Sequence, residues 1–141
     1  MIKRIETYTY KNFRNMITDV LNTLCVRRDT LAYIEGVLVS NIRMNDGIIV
    51  DDSIVLHFAA ARENPRFETF QRIGDSVLWN AIVLPFSLEG HRDASYNIGR
   101  IAYGTCYKML RDGSWVLYEE LADRLPEITC QAARALVSLG N

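Results

Sequence analysis

Five residues between positions 96 and 111 have the types and spacing to do chemistry. Tyr96, Arg100, Tyr103, Tyr107 and Arg111 recur at i, i+4, i+7, i+11 and i+15, so a helix puts them on one face. Tyr and Arg are the residues most enriched at the centres of protein interfaces. The same pair of types stacks on rings and grips phosphate or carboxylate groups through the guanidinium fork. A second stripe, Ala94, Ile98, Ile101, Thr105 and Met109, runs along the same segment. Positions 94 and 96 differ by about 200° around a helix, which puts the two stripes on opposite sides. The expectation is that the apolar stripe faces the core. The Tyr–Arg stripe then faces a protein partner, a second copy or an anionic small molecule, with Gly99 and Gly104 allowing close approach. The competing expectation is that the tyrosines lie at the core edge and Arg100 pairs with an acid.

Asp75 follows Gly74 inside an otherwise apolar run. A buried carboxylate must be hydrogen-bonded or paired, and Arg72 and Arg100 are the candidate partners. A binding or catalytic carboxylate is the alternative. The two histidines, His57 and His91, are not in HExxH or ExxH spacing, so no metal site is expected. His91-Arg92-Asp93 matches three letters of a kinase catalytic loop, without the downstream Asn or a DFG. Glycine-rich phosphate loops and a GxSxG elbow are absent. Cys25, Cys106 and Cys130 are widely spread and odd in number, which reads as buried free thiols acting as small hydrophobes rather than a disulfide or a catalytic pair. No catalytic residue, cofactor or metal is assigned.

These side chains need a scaffold, and the bulk composition supplies one. The chain has 141 residues, 49% of them hydrophobic, and a formal net charge of −1. That length suits one domain, and disorder is excluded by the apolar content. A sequence pI near 6.1 argues against a general nucleic-acid binder, although Arg4, Lys11, Arg14, Arg27 and Arg28 give the early part a basic bias. The stretch from Met1 to Tyr8 has no signal-peptide core, and no apolar run approaches the ~20 residues of a membrane span. The expectation is a cytoplasmic protein with no membrane contact.

Helical periodicity dominates the chain. Phe13, Met16, Ile17, Val20, Leu21 and Leu24 form a stripe on a helix over about 10–25. Asp29 can cap a second helix to about 43, carrying Leu31, Ile34, Val37, Leu38 and Ile42. Asn45-Asp46-Gly47 is a turn signal, and Ile48-Ile49-Val50 a possible strand fragment. A third helix capped by Asp51 or Asp52 carries Ile54, Val55, Phe58 and Ala61. Pro65 suits the first turn of the fourth, with Phe67, Phe70, Ile73, Val77, Leu78, Ala81 and Ile82. Gly74 costs that helix roughly 1 kcal/mol against alanine, so it marks close packing or a local break. The fifth helix spans 94–111 with Asp93 as its cap, a sixth opens at Ser114, and Pro126 opens a seventh. The architecture expected is all-α, a single compact domain of about six or seven packed helices over 1–141.

Arg72-Ile73-Gly74-Asp75, Leu78, Leu84-Pro85, Ser87-Leu88, Asp93, Tyr96, Gly99-Arg100 and Ala102-Tyr103 form a pattern. It resembles one found in a group of uncharacterised all-helical bacterial proteins and covers about a third of the chain. Trp79 stands where that group has an aromatic, and Ser95 where it often has a second tyrosine. The resemblance implies a helical fold and brings no activity. The functional expectation is a non-enzymatic helical protein acting as a homodimer or through a protein partner, by the Tyr/Arg face of the helix around 94–111. The alternative is a small-ligand sensor or enzyme that holds a phosphorylated or anionic small molecule near Arg100.

Overall fold

The computed structural model describes residues 14–15, 17–43, 53–84, 88, 90–110 and 115–140. Helix α1 covers the helical residues between 14 and 21. It is followed by α2 (Arg28–Arg43), α3 (Ser53–Glu63), α4 (Phe67–Val83), α5 (Arg92–Met109) and α6 (Val116–Gly140). The chain is all-α, as the periodicity predicts, and among the described residues no strand occurs. No described helix is long and apolar enough to cross a membrane. The turn at 45–47, the fragment 48–50, the caps at 51–52 and Ser114 lie outside the described residues.

Outside α5 the core is built largely from the predicted stripes, although Val55 of the α3 stripe is 52% exposed. Ile17, Val20, Leu21 and Leu24 of α1 and its exit are buried, as are Ile34, Val37 and Leu38 of α2. Phe70, Ile73, Val77, Leu78, Ala81 and Ile82 bury one broad face of α4, which packs most extensively on α5. Helices α5 and α6 form the next largest contact, so α4, α5 and α6 make a three-helix centre with α1 to α3 around it. Arg66 precedes α4 in extended conformation, which places Pro65 just ahead of the first turn rather than inside it.

Two helix ends differ from expectation. Asp93 sits in the first turn of α5 and His91 takes the cap position. A carboxylate in the first turn still offsets the positive end of the helix dipole. The helices expected on either side of Pro126 run on as one kinked segment, with the break at Arg124 (φ −118°, ψ 16°). Pro126 has no N–H to give, and a proline disfavours helical geometry just ahead of it. Arg124 ties the bend down, donating from Nη1 to the Cys25 carbonyl at 2.6 Å and pairing with Glu120 and Glu127. The face of Glu119, Glu120, Asp123 and Arg124 is therefore only partly solvated, and two of its members stitch α6 to the α1–α2 connection.

Candidate functional site

The α5 faces are partly reversed relative to the first sequence expectation: Ile98 is buried and Arg100 exposed as expected, but Ile101 and Met109 are exposed, and the tyrosines lie in the core or at its edge, as the competing expectation had them. Its buried residues are Ser95, Ile98, Gly99, Ala102, Tyr103 and Cys106, at i, i+3, i+4, i+7, i+8 and i+11. Tyr103 is 0% exposed, whereas Ile101 is 53% and Met109 39% exposed. The small residues explain the reversal. Gly99 lets Leu125 and Val77 approach so closely that a Cβ there would lie 2.7 Å from Leu125 Cδ2. Close backbone approach and ring burial stabilise this face more than two separated aliphatic side chains would on the other.

Around Tyr103 the structure assembles a polar cluster inside an aromatic shell. Tyr33 of α2 donates to Asp75 Oδ1 at 2.6 Å, and Tyr103 donates to the same oxygen at 2.8 Å. The Asp75 partners are thus two phenols from α2 and α5, not the arginines. Arg72 Nη2 lies 3.4 Å from His57 Nδ1, and Arg100 Nε donates to the Ala122 carbonyl at 2.9 Å. Tyr118 stands edge-on to Tyr33, ring centres 5.3 Å apart, and accepts a hydrogen bond from Gln71 Nε2 at 2.7 Å. Gly74 makes the cluster possible, because the Tyr103 ring lies directly against its Cα. Of the two readings of Gly74, close packing is the one the structure shows.

Electrostatics follow from that enclosure. Burial pushes the Asp75 carboxyl up to about 6, outweighing the two phenol donors, which favour the ionised form. Burial and then the Asp75 charge hold both phenols above their ordinary values, so they remain donors at any physiological pH. The Cys106 thiol is pushed up to about 12, by burial first and the Asp75 charge second. This arrangement can accept a proton at Asp75 near neutrality and joins three helices through one oxygen. Among the described residues no group of three His, Cys, Asp or Glu side chains is placed to hold a metal.

The thiols give a direct check. Cys106 is buried as expected, whereas Cys25 and Cys130, expected to be buried, are exposed, and only the thiolate reacts. Iodoacetamide at pH 8 is expected to add two groups to the native chain and three to the unfolded one, read by intact mass. Rapid addition of a third group under native conditions would contradict the burial of Cys106.

The remaining predicted residues are dispersed. Tyr96 is half-buried, its phenol 3.0 Å from the Thr129 hydroxyl of α6. Tyr107 is half-buried, and its hydrogen bond to the Glu119 carboxylate raises its phenol above the ordinary value. Arg111 lies outside the described residues. Tyr33, Tyr118 and Gln71 escaped sequence reasoning, because nothing in the local pattern of α2 or α6 reports a carboxylate on α4.

A shallow cleft of about 470 Å³ runs along the outward side of α5 against α6. Arg100, Ile101, Gly104 and Lys108 line it from α5, Ala122 and Asp123 from α6. Gly104 faces the Ala122 methyl, where an added Cβ would stand 3.8 Å away, so the two helices run close beneath the cleft. Comparison of the chain with family models, with curated proteins and with solved structures finds no match in any of the three.

Proposed function

We propose that this chain is a non-enzymatic helical protein that pairs with a second copy of itself through the outward face of α5. The observation that supports this reading is Ile101, 53% exposed in the lining of the α5–α6 cleft, with Met109 also exposed two turns along the helix. A large aliphatic side chain held in water is stabilised when a partner covers it. The cleft carries both signs, Arg100 and Lys108 on α5 and Asp123 on α6. A twofold pairing with each copy's cations against the partner's Asp123 would make the face self-complementary. The interface thus uses the helix singled out from the sequence, with Arg100 retained and the buried Tyr103 replaced by Ile101.

The α5–α6 cleft also suits the second reading, an anionic small molecule held near Arg100. Asp123 in the lining opposes an anion, and Arg100 already spends its Nε on α6, so pairing is the reading adopted.

Native mass spectrometry at micromolar concentration tests both. A ligand-free dimer is expected, converted to monomer by Ile101→Asp, an exposed position where the change leaves helicity intact. A wild-type monomer, or a dimer that Ile101→Asp leaves unaltered, overturns the proposal. A monomer with a retained mass of a few hundred daltons favours the small-molecule reading.

A further inference from the structure

A second cleft, of about 230 Å³, lies at the start of α5 beside the C-terminal half of α6. Arg92 and Arg134 line it together with Tyr96, and Ala81, Leu88 and Ala133 give it an apolar wall. Both arginines are exposed, and among the described residues no acidic side chain lines the cleft and neither guanidinium takes part in an ion pair or hydrogen bond. Three arginines elsewhere find oxygen, Arg27 on Asp29, Arg124 on Glu120 and Glu127, and Arg100 on a carbonyl, whereas Arg72 lies against a histidine nitrogen and Arg62 over the Phe58 ring. Two unpaired guanidiniums converging on one small concavity, at the positive end of a helix dipole, make a local field that favours a dianion.

The chemistry of the lining narrows the ligand. A guanidinium fork matches the oxygens of a phosphate or carboxylate, and two forks match a doubly charged group. An apolar cavity of about 150 Å³ suffices to hold benzene, so this cleft has room for a small organic group beneath the charge. A phosphomonoester carries about −1.5 to −2 at neutral pH on one compact head. A dicarboxylate divides its charge between two separate heads and offers neither guanidinium a dianion.

We propose that this cleft binds a small phosphomonoester, with the phosphate between Arg92 and Arg134 and the organic group against Ala81, Leu88 and Ala133. The site stands apart from the Ile101 face and does not depend on the pairing proposed for it.

Phenyl phosphate is the probe, followed by isothermal titration calorimetry and by the rate of Cys130 alkylation. Cys130 lines the cleft, and exposed Cys25 serves as the internal reference. One-to-one saturable binding is expected, with Cys130 protected and Cys25 unaffected. Arg92→Met and Arg134→Met are each expected to weaken binding about tenfold, equivalent to ~1.4 kcal/mol. Both positions are exposed, so the helical circular dichroism should match the wild type. Inorganic phosphate is expected to bind about tenfold more weakly, because it leaves the apolar wall uncovered. Ile101→Asp should leave phenyl phosphate binding unchanged, which keeps failure of this site distinct from failure of the dimer. The proposal is overturned by no saturable heat at millimolar phenyl phosphate, by an unprotected Cys130, or by succinate binding as tightly.

Discussion

Asparagine at position 75 is expected to gain up to about 3 kcal/mol of stability relative to the wild type between pH 4 and pH 8. The folded Asp75 carboxyl titrates at about 6, against an ordinary value of 3.8. Between those values the folded chain keeps a proton that the unfolded chain has already lost. Unfolding therefore releases a proton, and raising the pH favours it. The loss of stability begins near pH 4 and is complete once the folded carboxyl has ionised, a little above pH 6. At about 1.36 kcal/mol for each pH unit between the two values, the full effect is about 3 kcal/mol.

An asparagine keeps an oxygen that can accept from Tyr33 and Tyr103, and it does not titrate, so it removes this loss without removing the cluster. Urea unfolding of both proteins at pH 4, 6 and 8 checks it, and contributions from every other titrating group cancel in the difference. A difference between the two proteins that stays flat with pH would show that burial does not penalise the Asp75 carboxylate.

Alanine at Gly74 is expected to cost about 2 kcal/mol. The added Cβ would stand 2.7–2.8 Å from three atoms of the Tyr103 ring. Alanine is better than glycine in a helix by about 1 kcal/mol, so the sign depends on whether the ring can retreat. It cannot do so cheaply. Tyr103 is fully buried, its hydroxyl is anchored on Asp75 one residue along α4, and Tyr118 packs against its ring. Overpacking a filled core costs about 1–3 kcal/mol and occasionally more, and here the upper end applies. A fall in Tm of roughly 6–10 °C is the corresponding thermal signature for a chain of this size. Gly74→Ala with Tyr103→Leu should show favourable coupling, because the smaller side chain makes room for the methyl. If Gly74→Ala alone proves as stable as the wild type, the ring has space to move and the cluster is looser than the geometry indicates.

Tyr103→Asp, which on an exposed face would merely split a dimer, is now expected to unfold the chain. The tyrosine fills the centre of the bundle, and the new charge would sit against Asp75.

The helices and the all-α class were legible in the residues themselves. Ile17, Val20 and Leu21, or Ile73, Val77 and Leu78, recur at the helical period because a helix buries one stripe, and that period survives any arrangement of neighbours. The chemistry of single residues was partly local: Gly74 signalled either close packing or a break, and Asp75 a carboxylate that, if buried, must be paired, though the arginines named for it were not its partners. The face of α5 was not local. Ser95, Gly99 and Ala102 carry little hydrophobicity of their own, and they mark the core only because α4 and α6 come close enough to use their small size. The donors for Asp75 could not be read either, since Tyr33 lies 42 residues away on α2 and Tyr103 lies 28 residues away on α5. A sequence pattern reports how a segment divides its own surface. Which half of that surface meets the core, and which distant phenol meets a given carboxylate, is set by packing between helices, and only the tertiary structure decides it.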